Sequence, residues 1–177
     1  DALIYAGHTE MRTLNIGAGA PDFDLPGSDG RRYTLASFAR AELLVIIFTA
    51  NHCPTAQAYE ERIAKLHAEF ADRGVALVLV SPNDPLALRL DEQGFSDLGD
   101  SLEDMRLRAK DRGWRFPYLY DGETQAMSRA YGPAATPHVF VFDSARKLRF
   151  AGRVDDNENP AKATSADTRE AILALLA

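Results

Sequence analysis

The stretch Leu43-Leu-Val-Ile-Ile-Phe-Thr-Ala-Asn-His-Cys-Pro-Thr55 decides the fold of this chain. Its first six residues are apolar and mostly branched, which is typical of a strand buried on both faces of a sheet. Pro54 suits the first position of an α-helix. Apolar residues then recur at helical spacing at Tyr59, Ile63, Leu66 and Phe70. The pattern predicts a strand-to-helix turn, with Cys53 at the cap or in the first turn of the helix.

The segments on either side predict an α/β protein. Ala20–Thr34 predicts a short β-hairpin, and residues 1–19 are interpreted as an N-terminal tail held down by Leu14 and Ile16. Later segments predict, in chain order, a strand at Val75–Val80, a long loop at Ser81–Asp100, a helix from Ser101 to Gly113, a strand at Tyr118–Tyr120, a helix at Thr124–Tyr131, strands at Val139–Phe142 and Leu148–Val154, and a C-terminal helix. We therefore expect one domain, residues 20–177, with a central mixed sheet flanked by helices.

The composition excludes several classes of protein. The chain has 177 residues, of which 46% are hydrophobic and 26% charged, so disorder, collagen and coiled coil are not expected. The net charge of −6 argues against nucleic acid as a partner. The apolar run Leu43–Phe48 is far shorter than the roughly 20 residues that span a bilayer, so we expect no membrane insertion.

Cys53 is the only cysteine, so an internal disulfide is impossible. Unpaired N–H groups and the helix dipole favour an anion such as a thiolate at a helix N-terminus. A buried cysteine can instead be a small hydrophobic residue, but the predicted strand-to-helix turn favours a functional thiol. The compartment stays open. The chain starts at Asp1 rather than Met, and an exported, periplasmic domain fits this sequence.

A second candidate feature is Ala135-Thr-Pro-His138, directly before the predicted strand Val139–Phe142. A proline at a strand entrance is either an ordinary edge device or a cis proline in a tight turn. The residues alone leave both interpretations open.

Together these features resemble the thioredoxin-like redoxins, the broad alkyl hydroperoxide reductase/thiol-specific antioxidant and thiol–disulfide oxidoreductase group. The similarity is greatest to a bacterial subgroup with a Phe-x-Cys-Asn-His-Cys-Pro motif. The matching segments are Ala20–Leu25, Phe48–Pro54, Ser81–Asp84, Phe116–Asp121, Ala130–Gly132, Thr136–Pro137 and Gly152–Asp156. The resemblance implies a thioredoxin-like fold with an N-terminal β-hairpin extension. It also implies a cis Pro137 packed against Cys53, and substrate contacts at Asn51, Thr136 and Pro137.

The chain departs from the motif at Ala50, where the subgroup has its nucleophilic cysteine. Dithiol exchange needs one thiolate to attack and a second to resolve the mixed disulfide, so Cys53 alone requires an external thiol reductant. The resemblance implies that His52 tunes the thiol electrostatically. We expect a thiol-dependent oxidoreductase of redoxin type, with antioxidant activity and with catalytic positions Ala50, His52 and Cys53. Its partners would be protein or small-molecule thiols, disulfides or peroxides.

Two alternatives remain. The first is a one-cysteine thiol peroxidase, in which Cys53 attacks peroxide. Peroxiredoxins resemble this fold, but Thr49 lies one residue too far from Cys53 to match their motif, and Pro137 occupies the place of their arginine. The second alternative is a non-catalytic binding module of thioredoxin fold that uses the groove at Pro137 and the loop Ser81–Asp100.

The sequence does not predict a metal site. His52, Cys53 and His138 would form a soft-metal set, but no spaced ligand motif supports them. Asp155–Glu158 lacks the spacing of a calcium loop. No cofactor is expected either.

Overall fold

The computed structural model describes residues 12–83 and 99–177, so most of the predicted loop Ser81–Asp100 and the first part of the tail lie outside the described residues. The strands are β1 (Asp24–Pro26), β2 (Arg32–Thr34), β3 (Leu43–Phe48), β4 (Val75–Ser81), β5 (Tyr118–Tyr120), β6 (His138–Phe142) and β7 (Leu148–Gly152). The helices are α1 (Pro54–Phe70), α2 (Leu102–Arg112), α3 (Ala126–Tyr131) and α4 (Asp167–Leu176). Within the described ranges, none of the helices is long and apolar enough to cross a membrane.

The central sheet is mixed, as predicted, with strand order β5-β4-β3-β6-β7. β3 is parallel to β4 and antiparallel to β6, so the strand Leu43–Phe48 lies in the middle of the sheet. All six residues of β3 are buried, which is why its sequence is apolar without alternation. The carboxyl end of β3 leads directly into α1, and this places the Asn-His-Cys-Pro stretch at one edge of the sheet.

Two hydrophobic cores form, one on each face of the sheet. The first collects the apolar stripe of α1, which the sequence predicted, together with Met105 of α2 and Ile172 of α4. The second packs Phe23 and Leu25 of the hairpin region against Met127 and other buried side chains. The predicted arrangement of a sheet covered on both faces is confirmed.

The N-terminal hairpin forms as predicted, with Leu25 opposite Tyr33. The prediction about the preceding tail is right for Leu14 and wrong for Ile16. Leu14 packs against the second core, and its N–H donates to the carbonyl oxygen of Tyr131 at 2.9 Å. Ile16 is 64% exposed. At this point the segment is held by its main chain, because the N–H of Gly17 donates to the Leu148 carbonyl.

Gly132 ends α3 and is expected to be sensitive to substitution. Its φ is +64°, and an added Cβ would lie 2.3 Å from the carbonyl oxygen of Arg12. Gly113 ends α2 with the same φ of +64°, but a Cβ there meets nothing within 4 Å. Gly113→Ala should therefore cost only the left-handed backbone strain, about 1 kcal/mol. Gly132→Ala should cost roughly 1–3 kcal/mol more, because backbone must move. Urea unfolding of both variants checks this, and equal losses of stability would contradict it.

Candidate active site around Cys53

Cys53 is the N-cap residue of α1, with φ −79° and ψ 114°, and its side chain makes no capping hydrogen bond. Its thiol is free and partly exposed. The sulfur therefore lies at the positive end of a 17-residue helix. The predicted position of Cys53 at the helix start is confirmed.

Thr136 lies next to Cys53. The Thr136 hydroxyl donates a hydrogen bond to Cys53 Sγ, with Oγ1 and Sγ 3.4 Å apart. The Thr136–Pro137 peptide bond is cis, as the resemblance implied. This contact follows from strand register, because His138 at the start of β6 is the partner of Phe48 at the end of β3. The pairing of β3 with β6 thus brings the residue before the proline to the cysteine.

The loop that precedes Cys53 is buried. Thr49, Ala50, Asn51 and His52 are all less than 9% exposed, and Ala50 is only 3% exposed. The position that carries a nucleophilic cysteine in the similar subgroup is thus occupied by a small apolar side chain inside the protein. Cys53 carries the thiol of this loop, and that thiol is accessible to solvent.

Asn51 joins this loop to three other parts of the fold. Its Nδ2 donates to the Gly99 carbonyl at 3.0 Å, and its Oδ1 accepts from the Tyr118 hydroxyl at 2.8 Å. Its own carbonyl oxygen accepts from Gln57 Nε2 at 2.5 Å. The amide of Asn51 therefore fixes the loop from within, and its contact with substrate stays a prediction. Burial, as the largest cause, raises the pKa of Tyr118 well above its usual range, so this phenol remains a donor.

The ring of His52 contacts a buried carboxylate that the sequence did not reveal. His52 Nδ1 and Asp100 Oδ2 form a very short contact. Asp100 is completely buried, and it also accepts from the backbone N–H of Asn51 at 2.8 Å and from Asn83 Nδ2 at 2.9 Å. Neither Asp100 nor Asn83 is a candidate site residue from the sequence, because both lie far along the chain from Cys53. Asn83 lies in the matching segment Ser81–Asp84, but that segment alone assigns it no role.

An ion-pair network supports the loop from the helix side. Arg108 Nη2 donates to the Asn51 carbonyl at 3.3 Å. Arg108 also pairs with Glu60 of α1 at 3.5 Å, and Glu60 pairs with Arg112 at 2.9 Å. Burial raises the pKa of Glu60, although both arginines act in the opposite direction. The network ties α2 to α1 directly behind the Cys53 loop.

The second histidine near the site makes its contacts elsewhere. His138 Nδ1 accepts from the N–H of Ala134 at 2.8 Å, and its ring stacks on Phe140 at a centroid distance of 4.7 Å. Burial lowers the pKa of His138. Across residues 12–83 and 99–177, His, Cys, Asp and Glu side chains form no group of three that is arranged to hold a metal ion. Asp155, at the start of the acidic segment that lacks calcium-loop spacing, forms an ion pair with Arg62 at 2.6 Å.

The chain matches the family model described as the AhpC/TSA family over residues 16–151. Thiol-disulfide oxidoreductase ResA of Geobacillus thermodenitrificans (strain NG80-2) is 25% identical over 147 residues, which are 82% of this chain and 74% of that protein. The crystal structure of a hypothetical protein from Sinorhizobium meliloti 1021 has a TM-score of 0.81 at 34% identity, over 93% of this chain and 86% of that one.

A thiol:disulfide interchange protein from Chlorobium tepidum TLS, described as a thioredoxin family protein, has the same fold. Its TM-score is 0.67 at 17% identity, over 93% of this chain and 100% of that one. The expected thioredoxin-like fold is confirmed.

Proposed function

The chain belongs to the AhpC/TSA family, and on that premise we propose that it is a redoxin-type thiol-dependent oxidoreductase that exchanges Cys53 with thiols and disulfides. The observation that carries the proposal is the environment of Cys53 Sγ. Cys53 is the N-cap residue of α1, and its sulfur accepts a hydrogen bond from the Thr136 hydroxyl. Both features stabilise negative charge on sulfur, and the thiolate is the form that attacks a disulfide. The similarity to a thiol-disulfide oxidoreductase supports the same chemistry.

One thiol suffices for a complete cycle when an external thiol takes part. The Cys53 thiolate attacks one sulfur of the substrate disulfide, and the other sulfur leaves with the electron pair of the broken S–S bond and takes a proton from water. The thiolate of the external reductant then attacks the substrate sulfur of the mixed disulfide, and Cys53 leaves as a thiolate. The net reaction is thiol–disulfide exchange. One substrate sulfur is released as a thiol, the other is released in a disulfide with the external thiol, and the protein is unchanged.

A one-cysteine thiol peroxidase is the second candidate, and the presence of a single cysteine favours it. In that reaction the Cys53 thiolate attacks one peroxide oxygen and the O–O bond breaks, so that the other oxygen leaves as hydroxide or alkoxide and takes a proton. One external thiol then converts the sulfenic acid to a mixed disulfide and water, and a second external thiol releases Cys53. Peroxide reduction also needs donors aimed at the departing oxygen. Pro137 occupies the place before β6 where the similar peroxiredoxins have arginine, so disulfide exchange ranks first.

The proposal is tested with a glutathionylated peptide as substrate and reduced glutathione as the external thiol. We expect turnover by the native chain, a trapped mixed disulfide at Cys53 by mass spectrometry, and neither with Cys53→Ser. Consumption of hydrogen peroxide at rates orders of magnitude above those of a free thiolate, without peptide turnover, would make the peroxidase the leading hypothesis. Equal results for the native chain and Cys53→Ser in both assays would leave the non-catalytic binding module.

The Thr136 hydroxyl should accelerate reactions of Cys53. Thr136→Val keeps the shape of the side chain but removes the donor to Sγ. A hydrogen bond to a charged group is worth about 1.5 kcal/mol or more when shielded, and partial exposure and the lower basicity of a stabilised thiolate reduce its kinetic effect. We expect alkylation of Cys53 at pH 7 to slow about three- to tenfold in Thr136→Val. Thr136→Ser, which keeps the hydroxyl, is the control, and an equal rate in both variants would contradict the role.

A further inference from the structure

We propose that Asp100 is a positioning residue of the Cys53 site. Asp100 fixes the loop before Cys53 and keeps the His52 ring positively charged next to Cys53. The proposal rests on the proposed function only in taking Cys53 as the reacting thiol. Everything else follows from the contacts of Asp100, a residue for which neither the family motif nor the sequence pattern predicts a role.

Asp100 holds the loop with both of its oxygens. Oδ1 accepts the backbone N–H groups of Asn51 and His52, at 2.8 and 3.4 Å. Oδ2 contacts His52 Nδ1 and accepts from the amide of Asn83 at the end of β4. Asp100 is 0% exposed, so solvent does not compete for these bonds. The carboxylate thus fixes both the backbone and one side chain of the two residues directly before Cys53.

The bonds of Asp100 do not serve the helix that follows it. Ser101 is the N-cap of α2, and its own hydroxyl accepts from the N–H of Asp104 at 3.1 Å. The cap of α2 is therefore complete without Asp100. The neighbouring carboxylate is directed at the thiol loop instead.

The charges around Asp100 point to His52 as its cationic partner. A buried carboxylate is costly unless it is paired with positive charge, and of the described residues that contact Asp100, His52 is the one that can carry such a charge. Of the titratable groups packed nearby, Tyr118 is bonded to Asn51, and Arg108 is directed at Asn51 and Glu60. Asp100 therefore favours the imidazolium form of His52.

A positive ring directly before Cys53 stabilises the thiolate. The isosteric change Asp100→Asn separates this effect from the loop geometry. The Asn oxygen can still accept from the two backbone N–H groups, but its NH₂ group then faces His52 Nδ1. That nitrogen must become an acceptor, which requires a neutral ring with its proton on Nε2. The variant keeps the shape and removes the charge.

The test is the rate of Cys53 alkylation by iodoacetamide from pH 5 to 9. In the native chain we expect the pH profile to contain a contribution from the change of charge on the His52 ring. Asp100→Asn should lose this contribution and react about three- to tenfold more slowly near pH 6.5, because a smaller thiolate fraction is partly offset by a more nucleophilic thiolate. His52→Gln should show the same profile, and Asp100→Asn should change little further in that background.

Asp121→Asn is the matched control. Asp121 is also buried, at 1% exposed, and accepts two backbone N–H groups, but these belong to Met127 and Ser128 of α3. Its variant should keep the native profile even where it lowers stability. An unchanged profile in Asp100→Asn, or equal slowing in both Asn variants, would overturn the proposal. Should Asp100→Asn not fold, His52→Gln decides: loss of the contribution supports the proposal, and an unchanged profile overturns it. No reaction at Cys53 in the native chain would instead count against the proposed function.

Discussion

Ala50→Cys is expected to convert this chain into a dithiol oxidoreductase and to raise its turnover of a protein disulfide such as insulin at least about 100-fold. Ala50 lies three residues before Cys53, in the turn between β3 and α1. It is 3% exposed, whereas Cys53 is partly exposed. The substitution places a second thiol next to the first without adding a charge or a large side chain.

The size of the effect comes from the resolving step. In the native chain a mixed disulfide waits for a collision with an external thiol. With the second thiol in place, attack occurs within the same turn, and well-oriented intramolecular reactions have effective concentrations that exceed millimolar thiol by many orders of magnitude. An S–S bond requires the two Cα atoms to lie roughly 4.4–6.8 Å apart, and a three-residue spacing in a tight turn suits that range.

Two variants separate this mechanism from a general increase in polarity. Ala50→Ser adds a hydroxyl of similar size but no thiol, and Ala50→Cys combined with Cys53→Ser leaves one thiol at the other position. Both should stay near the activity of the native chain. If Ala50→Cys forms no intramolecular disulfide under mild oxidation, or turns over insulin no faster than Ala50→Ser, the dithiol mechanism is wrong for this site.

Local patterns in the sequence were sufficient to predict a mixed sheet flanked by helices and the position of Cys53, whereas the thioredoxin-like fold followed from the family resemblance. The apolar run of β3, the helical stripe of α1 and Pro54 between them predict the strand-to-helix turn, because each depends on neighbouring residues. Leu14 and Ile16 look alike in sequence, yet only Leu14 is anchored in a core. The backbone hydrogen bonds that hold this segment join Leu14 to Tyr131 and Gly17 to Leu148, and no local pattern encodes contacts with such distant residues.

The sequence did not predict the groups that support the Cys53 loop, for a different reason. Asp100 and Arg108 act on the loop through hydrogen bonds to residues 48 and 57 positions away. In the sequence, Asp100 looks like an ordinary polar residue at the end of a predicted loop. Arg108 looks like an ordinary polar residue on one face of a predicted helix. A charged residue on a helix is usually solvated, so only the packing of α2 against α1 reveals that Arg108 is buried.

Arg108→Met is expected to destabilise the protein by about 3 kcal/mol at pH 7, because removing one partner of a buried ion pair leaves an uncompensated charge. Arg108 is 8% exposed and is paired with Glu60, which is also 8% exposed. Glu60 retains Arg112, but the side chain of that arginine is 53% exposed and its charge is screened by water. Arg106→Met on the same helix is the control. Its pair with Glu103 lies at the surface, so we expect a loss below about 1 kcal/mol.

The protonation of Glu60 makes this loss depend on pH. Burial raises the pKa of Glu60 in the folded state, so the folded state favours the protonated form, and stability from this group is lost as the pH rises through that pKa. Without Arg108 the pKa of Glu60 rises further, so the destabilisation of Arg108→Met should shrink as the pH falls and the carboxyl takes up its proton. Glu60→Gln combined with Arg108→Met should recover much of the stability at pH 7 and lose the pH dependence. Urea unfolding at pH 4 and pH 7 measures both effects. A stability difference between the native chain and Arg108→Met that is the same at both pH values would show that Glu60 does not carry the charge that Arg108 compensates.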